Sequence, residues 1–475
     1  MGHAFRIPEP TVVFPLSGAF RTPGVATFPG VDNFENPSRS GDKRYFLETY
    51  GCQMNEYDSA LVAELLAERG YSRTEDPGGA DLILVNTCSV REKAEETALE
   101  KLRSIAHHRR RNPSVRMGVL GCMAENRRES ILERIPEVDI LLGPDHYDRL
   151  GQVLDEHAPV RKLTTALGPD IAQTYEGLFA APPAGTTAFV AVQRGCDMKC
   201  SYCIVPTTRG PERSRPLRDV VEETRRLVHK GVVEVMLLGQ TVNAYSADDG
   251  TFAELLVALD KIPGLRRVRF MSPHPRYFTE PLCRTMAGLP TVCRHIHIPL
   301  QSGSSRVLRS MRRQYSRDQF LRIVERLRTH MPDVSFTTDI IAGYPGETEA
   351  EHRETLSLME EVKFDTAYMF AYSPRPGTLS ADMQETISEP EKQARLAEII
   401  ELQRKHTYER LDSCVGNVEE ILLEGASRRN GEEWIGKTTH FRKVVVHPGS
   451  DAKPGQILRA RITARRGQIL WGEIA

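Results

Sequence analysis

The sequence has no long apolar run and no excess of charge of either sign. No stretch approaches the roughly 20 apolar residues that a helix needs to cross a bilayer. No compact apolar core follows a basic start, as it would in a secretory signal. The 63 Lys and Arg are balanced by 64 Asp and Glu, which leaves a nucleic-acid partner open because such binding surfaces are local. We therefore expect a cytoplasmic protein with no membrane-bound part.

A disulfide framework is also missing. The nine cysteines are an odd number and show no pairing pattern. In a chain without a secretory signal this favours a reducing compartment, where cysteine serves metal binding, catalysis or the core. Residues 1–43 are rich in Pro and Gly and show neither a helical nor a strand period, so we predict a mobile extension there.

Three segments with different periodicities follow. Residues 44–175 alternate apolar runs with amphipathic helical patterns, which predicts an α/β domain with a parallel sheet. Residues 182–412 repeat that alternation six times, which predicts a partial (βα)6 barrel rather than a closed eight-stranded one, and they end in a long charged helix. Residues 413–475 contain about five short strand patterns and predict a small β-barrel of the kind that often binds oligonucleotides.

The densest cysteine motif follows the first strand of the partial barrel. Cys196, Cys200 and Cys203 lie on the loop where such folds carry out chemistry. Structural zinc requires four protein ligands, and no further His or Cys follows until His229. Three thiolates on a four-iron cluster leave one iron open for S-adenosylmethionine, whose reductive cleavage gives a radical. We predict a radical-generating [4Fe-4S] cluster here, with zinc or a purely structural role as the alternatives.

A second cysteine set is dispersed along the chain. Cys52, Cys88 and Cys122 each follow a predicted strand of the N-terminal segment, separated by about one strand–helix unit. If these strands run parallel, the three thiols converge at the edge where open α/β sheets bind ligands. Three separately buried thiols are the alternative. We predict a second cluster with an open iron.

Five polar residues lie at or just beyond predicted strand ends of the partial barrel. This position directs a side chain into the barrel cavity, so we predict cofactor contacts; loop capping is the alternative for each. The five residues are Gln240, Ser272, His274, Gln301 and Asp339.

Several long sequence words extend these motifs. The words are TYGCQMNEYDS at 49–59, NTCSVREKAEE at 86–96, GCMAE at 121–125, QRGCDMKCSYCIVPTTRGPERSRP at 193–216, IPLQSGS at 298–304 and AYSPRPGT at 371–378. With them, nearly everything after residue 43 resembles the methylthiotransferases of the radical-SAM superfamily. These have an N-terminal methylthiotransferase domain, a radical-SAM domain and a C-terminal TRAM domain.

The resemblance implies an enzyme that acts on tRNA. Within the family, the words are similar to the branch that methylthiolates carbon 2 of N6-isopentenyladenosine at position 37 of tRNA. It implies two S-adenosylmethionine molecules, two [4Fe-4S] clusters, an electron donor such as flavodoxin or ferredoxin, and a sulfur source. One S-adenosylmethionine methylates sulfur at the cluster of Cys52, Cys88 and Cys122. The other gives the radical at the cluster of Cys196, Cys200 and Cys203.

Two other functions stay open on the sequence. A sister enzyme methylthiolates an aspartate of a ribosomal protein and shares both clusters, although the words above argue against it. A protein from another class, a non-catalytic RNA-binding protein with one structural zinc, would not turn over S-adenosylmethionine.

The chain departs from the usual words of the resembling family at two positions. Thr241 stands in GQTVN where the family has Asn, and Lys437 stands in GKT where it has Arg. We expect neither residue to touch a cluster ligand, and we expect Lys437 to lose the bidentate contact that Arg makes with phosphate. In the same C-terminal segment, Trp434 and Phe441 are predicted to form the core of the small barrel.

Overall fold

The computed structural model describes residues 43–89, 92–155, 163–427, 432–449 and 451–475. The predicted extension lies outside these residues, except for Lys43, which begins the first strand. The described part contains a parallel sheet, a partial barrel and a closed small barrel, in the predicted order.

The N-terminal part is a six-stranded sheet in which every pair of neighbours is parallel. The strand order is β2-β1-β3-β4-β5-β6. The strands are β1 Lys43–Tyr50, β2 Tyr71–Arg73, β3 Leu82–Thr87, β4 Arg116–Leu120, β5 Ile140–Leu142 and β6 Thr164–Ala166. The helices are Gln53–Glu68, Glu92–Arg111, Cys122–Asn126, Arg128–Arg134 and Leu150–Asp155. Apolar clusters on both faces of this sheet account for the nearly continuous apolar sequence of its central strands.

The central part is the predicted partial barrel. Six parallel strands form two three-stranded sheets, joined by a bridge between Val268 and Val292. The strands are β7 Thr187–Ala191, β8 Glu234–Leu238, β9 Arg267–Phe270, β10 His295–His297, β11 Ser335–Ala342 and β12 Thr366–Ala371. The helices are Val205–Arg209, Leu217–His229, Phe252–Asp260, Glu280–Gly288, Ser305–Ser310, Arg317–His330 and Glu349–Val362. Where the chain is described, β7 and β12 each pair with one neighbour, so the barrel is open between them.

Local sequence fixes where the outer helices of this barrel begin. Three of them start with a capping box, in which a Thr or Ser side chain accepts from the backbone of a Glu or Gln that bonds back to the cap. The capping residues are Thr251, Ser316 and Thr348. These caps satisfy N–H groups that the first helical turn leaves without a partner.

The long helix Glu389–Asp412 leads into a closed five-stranded barrel. Its strand order is β13-β14-β15-β17-β16. The strands are β13 Val418–Ala426, β14 Trp434–Thr438, β15 Lys443–Val446, β16 Ile457–Arg466 and β17 Ile469–Ile474. Closure removes the exposed strand edges that so small a β domain would otherwise present.

The small barrel docks against the amino ends of the central strands, opposite the edge where chemistry was predicted. Arg269 of β9 donates to the carbonyls of Thr438 and Thr439 at 2.7 and 3.0 Å. Phe441 stacks on His295 with ring centroids 4.8 Å apart and packs with the side chains of the central barrel. The prediction that Phe441 belongs to the core of the small barrel is therefore wrong, because the turn after β14 carries this ring out to its neighbour.

The docking also explains Lys437. Its side chain is buried and pairs with Glu424 at 2.6 Å, and its backbone carbonyl accepts from Arg267 at 2.7 Å. The charge of Lys437 is therefore used inside the protein, against Glu424. Of the described helices, none is long and apolar enough to cross a membrane.

Candidate active site between two cysteine triads

The first group of cysteines lies at the carboxyl edge of the N-terminal sheet. The strands β1, β3 and β4 are parallel neighbours in that sheet. Each is followed within two residues by one cysteine, and these are Cys52, Cys88 and Cys122, hereafter the N-terminal triad. Because parallel neighbours end at one edge, the structure brings the three together as expected. Cys88 and Cys122 are buried, and Cys52 is half-buried.

Two glycines set how closely these strand ends approach. Gly51 has a φ of +140°, and a Cβ there would lie 2.5 Å from the Cβ of Cys88. Gly121 has a φ of +87°, and a Cβ there would lie 2.4 Å from Oδ1 of Asn86. Only glycine combines this backbone with no side chain, so both positions are required for the convergence.

A buried amide network, which the sequence reasoning missed, fixes the same strand ends. Asn55 Nδ2 donates to Asn86 Oδ1 at 3.1 Å, and Asn86 Nδ2 donates to Ser59 Oγ at 2.9 Å. The Sγ of Cys52 lies 3.3 Å from Oδ1 of Asn55. Satisfied polar groups in the interior specify one geometry, and this network therefore orients the loop that carries Cys52. The signal was present in the word TYGCQMNEYDS, but no local pattern gives Asn86 as the partner.

The second group of cysteines lies on a loop at the carboxyl end of β7. These are Cys196, Cys200 and Cys203, hereafter the loop triad. Antiparallel pairing of Gln193–Arg194 with Arg213–Ser214 closes the base of the loop. Within it, the N–H of Cys203 donates to the carbonyl of Cys200 at 3.1 Å, which makes the tight turn that keeps these two sulfurs close.

Burial controls the acidity of three of the six thiols. It raises the pKa of Cys203 to about 12, and the electrostatic effect of the neighbouring Cys200 adds to that rise. Burial likewise raises the pKa of Cys196 and of Cys122. A thiol that holds its proton against water gives it up to a metal, because only the thiolate is a ligand. Binding of a metal group at either triad would thus release protons.

Two polar neighbours of the loop triad were not identified from the sequence. The Oγ1 of Thr241 lies 3.3 Å from Sγ of Cys196, and Arg313 Nη1 donates to Sγ of Cys200 at 3.3 Å. The expectation that Thr241 stays away from the cysteines is wrong, because the turn after β8 folds back over the triad loop. Arg313 lies more than a hundred residues from Cys200 in the chain, so spacing alone gave no sign of the contact.

Two of the five predicted cofactor residues have buried polar atoms without a hydrogen-bond partner among the described residues. These atoms are Oε1 of Gln240 and Nε2 of His274. Burial, with Arg313 and Arg276 nearby, lowers the pKa of His274 to about 2, so its ring is neutral. Buried polar atoms are nearly always satisfied in proteins, and a bound ligand is one way to satisfy these two.

The other three predicted residues differ in how they are held. Ser272 and Gln301 have φ values of +58° and +68°, a left-handed backbone that costs such residues about 1–3 kcal/mol. Strain of this kind is concentrated at ligand sites. Asp339 lies inside β11 rather than at its end, and its Oδ2 is 3.2 Å from Nε2 of His297. All three belong to the central barrel that carries the loop triad.

A buried charge cluster joins the two triads. Arg209, from the end of the triad loop, donates through Nε to Sγ of Cys122 at 3.2 Å and through Nη2 to Asp58 at 2.9 Å. Arg194 donates to the other carboxylate oxygen of Asp58 at 2.7 Å. Asp58 belongs to the N-terminal part, so its carboxylate links the N-terminal sheet to both ends of the triad loop. Neither arginine was singled out from the sequence, although both lie in its longest word.

The donor sets fit iron–sulfur clusters. Both triads supply soft thiolates, the ligands that proteins use for such clusters. Among the described residues, no three His, Cys, Asp or Glu side chains are arranged to hold one metal ion.

Comparison with known families matches all three parts of the chain. Residues 44–143 match the Uncharacterized protein family UPF0004, residues 190–359 the Radical SAM superfamily, and residues 412–475 the TRAM domain. A protein of Akkermansia muciniphila named tRNA-2-methylthio-N(6)-dimethylallyladenosine synthase is 40% identical over 450 residues, which cover 90% of this chain and 98% of the relative. The chain belongs to this synthase family. A relative of the same name from Methylacidiphilum infernorum is 40% identical over 90% of this chain and 94% of its own.

Membership in the family confirms several predictions from the sequence. The chain is a radical-SAM enzyme of the tRNA-modifying kind, its cofactors are S-adenosylmethionine and two [4Fe-4S] clusters, and its fold class is the predicted one. The tRNA branch is thereby favoured over the aspartate-modifying sister and over a non-catalytic RNA-binding protein.

A solved structure supports the fold from a distance. The radical S-adenosylmethionine methyltransferase TsrM from Kitasatospora setae superposes with a TM-score of 0.54 at 14% identity, over 72% of this chain and 75% of that one. At this identity the likeness concerns the fold alone.

Proposed function

We propose that this chain replaces the hydrogen at carbon 2 of N6-isopentenyladenosine, at position 37 of tRNA, by a methylthio group. The reaction uses two S-adenosylmethionine molecules, one as methyl donor and one as radical source. We assign one cluster to Cys52, Cys88 and Cys122 and the other to Cys196, Cys200 and Cys203. The curated relatives bear the name of this activity over nearly the whole chain.

The observation that carries the ligand assignment is the contact between the segment of the loop triad and a sulfur of the N-terminal triad. Arg209 leaves the loop triad's own segment and reaches Sγ of Cys122 at 3.2 Å. A buried guanidinium requires negative partners, and thiolate ligands supply that charge at one side while Asp58 supplies it at the other. Two separate structural thiol sets would have no need of this link.

The protein's own residues prepare the site in three ways. The six cysteines would supply three thiolates to each cluster, which would leave one iron in each open. Burial of Cys88, Cys122 and Cys196 excludes water from these sulfurs. Cys196, Cys200 and Cys203 would hold the cluster that, when bound, would pass one electron from the donor to S-adenosylmethionine; breaking of its C–S bond would give methionine and the 5′-deoxyadenosyl radical. We assign S-adenosylmethionine contacts to five residues, two of which have unpartnered buried atoms. The five residues are Gln240, Ser272, His274, Gln301 and Asp339.

The small barrel is proposed to hold the tRNA substrate. On β16, Arg459, Arg461 and Arg466 are exposed, whereas Arg465 is neutralised by Asp412 at 2.6 Å. Exposed arginines on one strand suit the phosphate backbone, whose contacts position a nucleic acid without reading its sequence.

We further propose an electron donor, a sulfur source and a cellular compartment for the reaction, and the boundaries of the three domains. The electron comes from a donor such as flavodoxin or ferredoxin, the inserted sulfur from a separate source, and the enzyme acts in the cytoplasm. The parts are a methylthiotransferase domain at 44–175, a radical-SAM domain at 182–412 and a TRAM domain at 413–475.

The test is nucleoside mass spectrometry of tRNA from a strain lacking this gene. We expect loss of the 2-methylthio nucleoside and accumulation of N6-isopentenyladenosine, with recovery when the wild-type gene returns. Complementation by Cys88→Ala should fail, while the purified variant still releases 5′-deoxyadenosine. Unchanged 2-methylthio nucleosides in the deletion strain would rule out the tRNA substrate.

Metal analysis distinguishes an enzyme with two iron–sulfur clusters from a non-catalytic RNA-binding protein with a structural zinc. Anaerobically purified protein should hold about eight irons with matching sulfide, as two four-iron clusters require. One zinc per chain and no iron would instead identify a structural metal in a non-catalytic RNA-binding protein.

A further inference from the structure

Arg209 joins the segment of the loop triad to a sulfur of the N-terminal triad. Its Nε donates to Sγ of Cys122 at 3.2 Å, and its Nη2 donates to Asp58 at 2.9 Å. Its side chain is 4% exposed. The contact crosses from the central barrel to the N-terminal sheet, over 87 positions of the chain.

This geometry gives the guanidinium one fixed orientation. Asp58 accepts Arg209 on one carboxylate oxygen and Arg194 on the other, at 2.9 and 2.7 Å. With Nη2 held by the carboxylate, the planar fork presents Nε to the sulfur and cannot turn away. Tyr147 also places its hydroxyl 3.3 Å from Asp58, so the carboxylate itself is fixed from a third side.

We propose that Arg209 sets the reduction potential of the cluster at Cys52, Cys88 and Cys122, so that this potential depends on docking of the segment that binds the other cluster. The inference rests on the proposed ligand assignment. Hydrogen bonds to ligand sulfur and the net charge around a cluster are two of the factors that set its potential.

The direction of the effect follows from charge. One-electron reduction adds one negative charge to the cluster and its thiolates in a site closed to water. A buried cation in contact with a ligand sulfur stabilises that added charge more than it stabilises the oxidised state, because the local dielectric is low. Arg209 therefore makes the N-terminal cluster easier to reduce, and it acts as a positioning residue that touches a ligand rather than the substrate.

Arg194 provides a matched control. It is buried like Arg209, shares the same carboxylate, and belongs to the same loop. Its further contacts are the rings of Tyr175 and Tyr57, whose centroids lie 4.5 and 5.9 Å from its guanidinium carbon. Removing Arg194 thus disturbs the charge cluster without removing the hydrogen bond to sulfur.

The experiment is a redox titration monitored by electron paramagnetic resonance. The full-length chain carries Cys196→Ala, Cys200→Ala and Cys203→Ala, so that the signal arises from the N-terminal triad alone. Into this background we place Arg209→Gln or Arg194→Gln. We expect Arg209→Gln to reduce the equilibrium constant for reduction at least tenfold, which is about 59 mV for one electron. Arg194→Gln should change it less than twofold.

Each outcome has a clear reading. An equal shift in both variants, or no shift with Arg209→Gln, overturns the role of the hydrogen bond. If Arg209→Gln fails to retain iron, Arg209→Lys is titrated instead. Lys cannot bond Cys122 and Asp58 together as the planar guanidinium does. A reduction potential equal to that of the background would therefore overturn the proposal. Absence of about four irons in the background itself would refute the ligand assignment and not the role of Arg209 alone.

Discussion

Asp58→Asn removes the carboxylate that Arg194 and Arg209 share, and it keeps the side chain's size. Asp58 is fully buried, and the two arginine side chains are 2% and 4% exposed. The amide retains one acceptor but turns its NH2 toward a guanidinium. Loss of one partner from a buried ion pair costs about 3–5 kcal/mol, because the remaining charge stays buried without compensation.

The assay compares Asp58→Asn with Asp412→Asn in the apo-protein. Asp412 pairs with Arg465 at 2.6 Å, but its side chain is 55% exposed, and exposed pairs contribute about 0–1 kcal/mol. The folded fraction at each urea concentration is measured by pulse proteolysis, from the intensity of the band that contains the N-terminal sheet. High salt should leave the loss from Asp58→Asn nearly unchanged, since buried pairs are screened little. A loss below about 1 kcal/mol, equal to that of the control, would refute the argument that the domains are joined by this carboxylate.

Three further changes test other parts of the structure. Gly51→Ala should abolish the N-terminal cluster and lower the iron content by about four per chain, because its Cβ would lie 2.5 Å from that of Cys88; Gly70→Ala, at φ +76° with nothing within 4 Å, should retain iron. Phe441→Ala should destabilise docking of the small barrel by up to about 3 kcal/mol and make Glu389–Asp412 sensitive to proteolysis. Unchanged cleavage of this helix would contradict a role in docking for the stacking of Phe441 on His295. Burial and the charge of Asp197 raise the pKa of Glu212 from 4.5 to about 7. Between these pH values the folded state holds the Glu212 proton more tightly than the unfolded state does. The free energy of unfolding therefore falls as the pH rises from 4.5 to about 7. Glu212→Gln should therefore raise the melting temperature of the apo-protein at pH 8 and leave it nearly unchanged at pH 4.5. An equal rise in melting temperature at both pH values would contradict the raised pKa of Glu212 as the cause.

The regular architecture was largely predictable. The six strand patterns of residues 188–373 became β7 to β12, and the five patterns of the C-terminal segment became β13 to β17. Alternating strand and helix periods are local properties, and caps such as Thr348 with Glu351 mark helix starts within a few residues. The short strands Tyr71–Arg73, Ile140–Leu142 and Thr164–Ala166 were missed, since three residues are too few to show a period.

The docking of the parts was not predictable in the same way. Phe441 was expected in the core of its own barrel, but it lies against His295 of the neighbouring one. An aromatic residue is buried for the same energetic reason in either place, so its apolar character does not say which core receives it. The direction of the chain after β14 decides the matter.

The sequence by itself determined which cysteines form the two groups to which we assign the clusters. Cys196, Cys200 and Cys203 are close in the chain, and Cys52 and Cys88 follow strands whose parallel pairing the periodicity already predicts. Only the tertiary structure decided how the two sites are joined. Asp58 and Arg209 are 151 positions apart, and their pairing depends on how two separate sheets dock. Local periodicity reports which face of an element is buried, but the partner of a buried charge is set by the packing of distant elements, which no short window of sequence contains.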